Sequence, residues 1–165
     1  MNNNKTIAIV PGSFDPITNG HLFVINAALE RYDRVFVAVM INSAKEYTFT
    51  LEERKSITKS ALDSMENVEV ISSDGWLYDL ANELCADAIV KGYRNDTDLE
   101  YEKQMAEFNR QYAPESETVL IKSEGELASI SSTMVREMLK NNESISDLLP
   151  QAAIERIKEI WSNKK

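Results

Sequence analysis

The sequence predicts an α/β fold, a doubly wound parallel sheet of about five strands with flanking helices. Short β-branched runs alternate with longer stretches of helical periodicity, the pattern of βαβ units. Turn residues gather where those runs end, above all in VPGSFDPITNGH, Val10 to His21, which holds Pro11, Gly12, Pro16 and Gly20. No repeat, low-complexity tract or long linker divides the 165 residues, so one domain spanning 1–165 is expected, large enough to bury a core.

The first strand is Thr6–Val10, which gives way to the Pro11-Gly12 turn. Leu22, Ile25, Leu29 and Tyr32 then recur on one face of a helix from His21 to Tyr32. The second strand is Val35–Met40. Thr50-Leu51-Glu52-Glu53 is a capping box, in which the Thr50 hydroxyl and the Glu53 carboxylate each satisfy a first-turn amide, and it opens a helix to about Ser64. Val68–Ser72 is the third strand, Trp76–Cys85 a helix, Ala88–Val90 the fourth strand, Asp96–Tyr112 a helix and Thr118–Ile121 the fifth strand. Ser131 or Ser132 caps a helix through Met134, Val135, Met138 and Leu139, which Asn141-Asn142 ends. A last amphipathic helix follows Pro150, with Ala153, Ile154, Ile157, Ile160 and Trp161 on its apolar side, suited to the core or to an interface. The order of elements is Rossmann-like, and ligands of such sheets bind beyond the carboxyl ends of the strands near the topological switch point.

A net charge of −9 argues against nucleic acid or an anionic membrane as the main partner. It leaves room for an anionic small substrate, because a local group of Lys and Arg governs the field in a cleft. The one cysteine, Cys85, cannot form an internal disulfide, and between Leu84 and Ala86 it reads as a packed helix-interior residue. With no signal-peptide pattern before Ile7 and no apolar run near the ~20 residues that cross a bilayer, a soluble cytoplasmic protein is expected.

The loop after the first strand is neither GxGxxG nor a P-loop, since the phosphate-cradling lysine is missing. It does offer a glycine for close backbone approach, the Ser13 hydroxyl, and a helix N-terminus at Gly20-His21. Amides there favour an anion, and the same dipole disfavours an imidazolium, so a neutral His21 would donate one hydrogen bond to a phosphate oxygen. Lys45 follows the second strand, and Lys91 and Arg94 follow the fourth. Asp15 is a conceivable metal ligand, but Pro16 beside it points to a turn-shaping role, and no clustered Asp/Asp or His/carboxylate set marks a metal cage.

GSFDPITNGH resembles the first signature of the nucleotidyltransferase superfamily, and ISSTMVR, Ile130 to Arg136, resembles the second. FTLEER (Phe49–Arg54), KGYRNDTDLEYE (Lys91–Glu102) and MAEFNRQYAPE (Met105–Glu115) are similar to the bacterial phosphopantetheine adenylyltransferases, and the likeness covers essentially the whole chain. It implies adenylyl transfer from ATP, carried with Mg2+, to 4′-phosphopantetheine, and a homohexamer. By this resemblance Lys45, Lys91 and Ser13 hold the acceptor phosphate, Leu77 touches the pantetheine arm, Arg94 lies along the triphosphate, and His21 stabilises the pentacoordinate α-phosphate. His21, Lys45 and Arg94 would carry the chemistry. ATP would also meet Ser13, Phe14, Gly92, Tyr93, Glu102 and the segment Leu127, Ala128, Ser129, Ile130, Ser131, Ser132, Thr133.

Three residues depart from the family pattern: Lys91 and Tyr93 stand for the Arg and Leu of Arg-Gly-Leu-Arg, and Trp76 is bulky where a smaller aliphatic is common. Lysine keeps the charge of arginine but not its bidentate fork. Alternatives are a nicotinamide or nicotinate mononucleotide adenylyltransferase, a cytidylyltransferase, or a non-catalytic nucleotide sensor. A class I aminoacyl-tRNA synthetase fragment would need a Lys-x-x-x-Ser loop and a basic surface that the chain lacks.

Overall fold

Strands β1 (Ile7–Gly12), β2 (Arg34–Met40), β3 (Val68–Ser73), β4 (Ala88–Tyr93) and β5 (Glu117–Lys122) pair in parallel in the order β3-β2-β1-β4-β5 in the computed structural model, which describes residues 4–164. Helices α1 (Asn19–Arg31), α2 (Leu51–Leu62), α3 (Leu77–Glu83), α4 (Asp96–Tyr112), α5 (Ser132–Lys140) and α6 (Gln151–Asn163) flank it, with a 3-10 turn at Gly125–Ser129. The fold is Rossmann-like α/β. Strand order reverses between β1 and β4, which places the switch point there.

Side chains alternate across the sheet, so each strand supplies two cores. Ala8, Val10, Val35, Val37, Val39, Ala88 and Val90 pack with α1, α2, α5 and α6 on one face. Ile9, Phe36, Ala38 and Ile89 pack with Ala81 and Ala113 on the other. Both faces of the central strands are covered, which explains their unbroken apolar runs. Ala153, Ile154, Ile157 and Ile160 of α6 all lie in the first core, and Trp161 meets Phe49 with ring centroids 5.9 Å apart. The apolar side of the last helix therefore belongs to the core.

β4 runs to Tyr93 and not Val90, so Lys91 lies within the strand and does not follow it; two further boundaries differ from expectation for definite reasons. β1 does not stop at Val10 but continues through Pro11 and Gly12, which pair with Ala38 and Val39 of β2. Arg34 N–H donates to the Thr6 carbonyl and Asp87 N–H to the Ile7 carbonyl, so odd-numbered residues of β1 turn their backbone polar groups toward β4. The β1–β4 ladder covers only Ala8 and Ile9. Pro11 thus directs its missing N–H to the side where pairing has already ended, and the strand tolerates it.

Cys85 is not a packed helix-interior residue. It is exposed with φ 52°, just past the end of α3. Ala86 N–H donates to the Ala81 carbonyl and Cys85 N–H to that of Asn82, a Schellman closure that puts Cys85 at its left-handed position. A cysteine where glycine is usual hid this stop.

Candidate active site

The loop from Ser13 to Thr18 is fastened from two sides. The Asp15 carboxylate is buried and accepts the N–H groups of Thr48 and Phe49, each at 3.0 Å, so it ties this loop to the one after β2. From α5, Arg136 donates to the Asp15 carbonyl at 2.9 Å and the Ser132 hydroxyl to that of Pro16 at 2.8 Å. Asp15 is therefore committed to shaping the turn. Phe14 takes φ 49°, a left-handed conformation that a bulky side chain seldom adopts. Its ring is buried against Gly12, where an added Cβ would come 3.0 Å from Cε2, and its centroid lies 4.9 Å from that of His21.

His21 is the third residue of α1, not the first, because Thr18 caps the helix. Its Nδ1 accepts from Thr18 N–H at 2.9 Å, filling the place of the acid in a capping box. With Nδ1 an acceptor, the neutral ring carries its proton on Nε2 and offers that donor to the cleft. Burial, then the charges of Arg94 and Lys91, lower the His21 pKa from 6.5 to about 4. The ring is thus neutral at physiological pH.

A cleft of about 570 Å³ opens above the split between β1 and β4. Ser13, Phe14, His21, Lys45, Lys91, Gly92, Tyr93, Arg94, Glu102 and Ile130 to Thr133 all line it. A Cβ on Gly92 would come 2.6 Å from Cγ2 of Val24, so glycine is what lets α1 settle on β4 beneath this floor. The cytidylyltransferase-like family profile matches residues 9–138, which contain every one of these positions. The chain is 42% identical to a phosphopantetheine adenylyltransferase of Lactobacillus acidophilus over 93% of its own length and 96% of the relative's. It is also 42% identical to that of Alkaliphilus metalliredigens over 90% and 95%, and 40% identical to that of Clostridium perfringens over 93% of each. The chain belongs to the phosphopantetheine adenylyltransferase family.

Within that family frame two of the cleft cations, Lys91 and Arg94, are already paired. Lys91 Nζ lies 3.2 Å from a Glu102 oxygen, and Arg94 Nε donates to Asp98 at 3.1 Å. Lys91 and Glu102, which the family resemblance gives to different substrates, form one ion pair from β4 to α4. Lys45 sits on the exposed turn after β2. Ser131 caps α5 by accepting from Met134 N–H at 3.1 Å, which resolves the Ser131-or-Ser132 choice, and Thr133 accepts from Arg136. Leu127, Ala128 and Ser129 lie in the 3-10 turn over the start of α1, where a Cβ on Gly20 would be 3.7 Å from the Leu127 carbonyl, and do not line the cleft. Leu77 opens α3 and packs against the second core, also away from the cleft lining.

Sequence reasoning missed Asp98, Tyr47 and Arg136 on the cleft wall and Arg54 beneath it. Arg136 and Arg54 close the two quoted segments ISSTMVR and FTLEER, which was the signal available for them. Among the described residues no group of three or more His, Cys, Asp or Glu stands where it would hold a metal ion. No helix of the described residues is long and apolar enough to cross a membrane.

Because His21 is the only histidine, its ring titration can be followed without ambiguity by NMR. The midpoint is expected near 4, and a midpoint near 6.5 would refute the buried, cation-flanked ring. The lowered folded value has a linked consequence. The unfolded chain takes up the proton first, so stability falls as pH drops from about 6.5 toward about 4 and this contribution then levels off.

Proposed function

We propose that this cleft transfers the adenylyl group of ATP to 4′-phosphopantetheine, giving dephospho-coenzyme A and pyrophosphate in coenzyme A biosynthesis. An oxygen of the acceptor phosphate attacks the α-phosphorus. A new P–O bond forms there while the bond to the β-phosphate oxygen breaks, and pyrophosphate leaves in line with the electron pair. The reaction asks the protein for position and charge, not for a covalent intermediate.

The observation that carries this reading is a neutral imidazole offering Nε2–H beside Lys91 and Arg94 at the split between β1 and β4. His21 donates to a non-bridging oxygen of the α-phosphate as its charge grows. Arg94 follows the triphosphate, and Lys45, Lys91 and Ser13 hold the acceptor phosphate. The α5 N-terminus, with Ser131 to Thr133, supplies amides to the nucleotide phosphates. Three carboxylates of the cleft wall are engaged: Asp15 by two amides, Asp98 by Arg94 and Glu102 by Lys91. That fits magnesium arriving on ATP as part of the substrate. The protein works in the cytoplasm as a homohexamer.

Incubation with Mg–ATP and separate acceptors, following pyrophosphate release, tests the reaction. Phosphopantetheine is expected to be consumed and nicotinamide mononucleotide left untouched; the reverse preference would overturn the proposal. Lys45→Ala is expected to raise KM for phosphopantetheine about tenfold or more, the scale of losing a charge-assisted contact, with KM for ATP nearly unchanged. Equal increases in both would reject the division of the two phosphates.

A further inference from the structure

Tyr47 lies between the two elements assigned to the acceptor phosphate and touches both. Its hydroxyl oxygen is 3.3 Å from Oγ of Ser13, on the loop after β1. It also accepts the Asn42 N–H at 2.7 Å, at the start of the turn after β2. That turn carries Lys45 and is closed by Lys45 N–H on the Asn42 carbonyl and Ala44 N–H on Asn42 Oδ1. The Tyr47 ring is itself held from below, because the Arg54 guanidinium carbon lies 3.9 Å from its centroid. Arg54 in turn donates to the carbonyls of Ser13, Met40 and Phe49.

These bonds have a direction. With one lone pair of its oxygen taken by Asn42 N–H, Tyr47 keeps its own O–H to give. An anion in the cleft can only accept, so Ser13 must turn its O–H toward the anion and accept from Tyr47. We infer that Tyr47 is a positioning residue for the acceptor phosphate: with its own oxygen held by the Asn42 N–H, it orients the Ser13 hydroxyl as a donor toward that phosphate. This rests on the reading that Ser13 and Lys45 hold that phosphate.

Tyr47→Phe keeps the ring over Arg54 and removes only the hydroxyl. In steady-state kinetics on the full chain, KM for phosphopantetheine is expected to rise about fivefold, the effect of one ordinary hydrogen bond, with KM for ATP and kcat within about twofold. The thermal midpoint of this variant is expected to match that of the parent, which would show that the fold persists. Because Tyr47 acts through Ser13, the double variant with Ser13→Ala is expected to match Ser13→Ala alone. An unchanged acceptor KM in Tyr47→Phe, equal rises for both substrates, or additive penalties in the double variant would each overturn the inference. If Ser13→Ala raises the acceptor KM and Tyr47→Phe does not, the Tyr47 role alone falls. If Ser13→Ala itself leaves the acceptor KM unchanged, the assignment of Ser13 falls and the Tyr47 role with it.

Discussion

His21→Ala is expected to lower kcat by at least ~100-fold, the scale of losing one donor aimed at a developing oxyanion, while ATP affinity changes little. Growing charge on the α-phosphate is strongest in the transition state, so the loss falls on turnover more than on binding. The imidazole has a second task, since its Nδ1 caps Thr18 N–H. Alanine removes both functions, and a loss of stability would confuse the reading. His21→Gln separates them: glutamine at the third helical position can accept from the capping amide, yet it does not place a donor where Nε2 stood. The glutamine variant should recover the thermal midpoint without recovering kcat. Near-normal turnover in His21→Ala would remove this residue from the mechanism.

Arg54→Met is expected to cost about 3–5 kcal/mol of stability, because an unsatisfied buried acceptor costs about 1–3 kcal/mol and three carbonyls share this one guanidinium. Arg54 is 1% exposed, so water cannot readily replace it. For a chain of this size the loss corresponds to a fall in Tm of roughly 6–20 °C, measured by calorimetry or circular dichroism. Arg54→Lys should recover only part of it, since one ammonium cannot span carbonyls on three separate segments as the planar fork does. A Tm within about 2 °C of the parent in Arg54→Met would show that the carbonyls find other partners.

Local patterns in the chain carry much of the fold. The Thr50–Glu53 capping box forms both of its bonds, and Asp96–Tyr112 is helical over its full expected span, started by Asn95 accepting from Asp98 N–H. The cleft-facing loop was legible because glycine, hydroxyl and histidine follow a strand end within a few residues. What escaped depends on distant partners. Ser13 and Arg54 are 41 positions apart, and the pairing of β1 with β2 and the Asp15 bonds to Thr48 and Phe49 bring them together. Tyr47 reads as an incidental loop aromatic until that guanidinium appears under it. The Pro11 continuation of β1 is invisible locally because it depends on where the neighbouring ladder ends. Cys85 misled for the opposite reason, since its apolar neighbours matched a helix that the backbone had already closed.

The partnered state of Lys91 and Arg94 sets the character of ligand exchange. Neither cation waits bare in solvent: a carboxylate from α4 already neutralises each, at 3.2 and 3.1 Å. If these two cations bind phosphate as proposed, an incoming phosphate would compete with a resident acid and not simply add attraction, and the acid could return when it departs. This internal competitor moderates the grip on every anion alike, reactant or product. On the proposed function, a cleft whose Lys91 and Arg94 are matched by carboxylates would hold pyrophosphate less tightly than an unopposed cationic one and so favour its release.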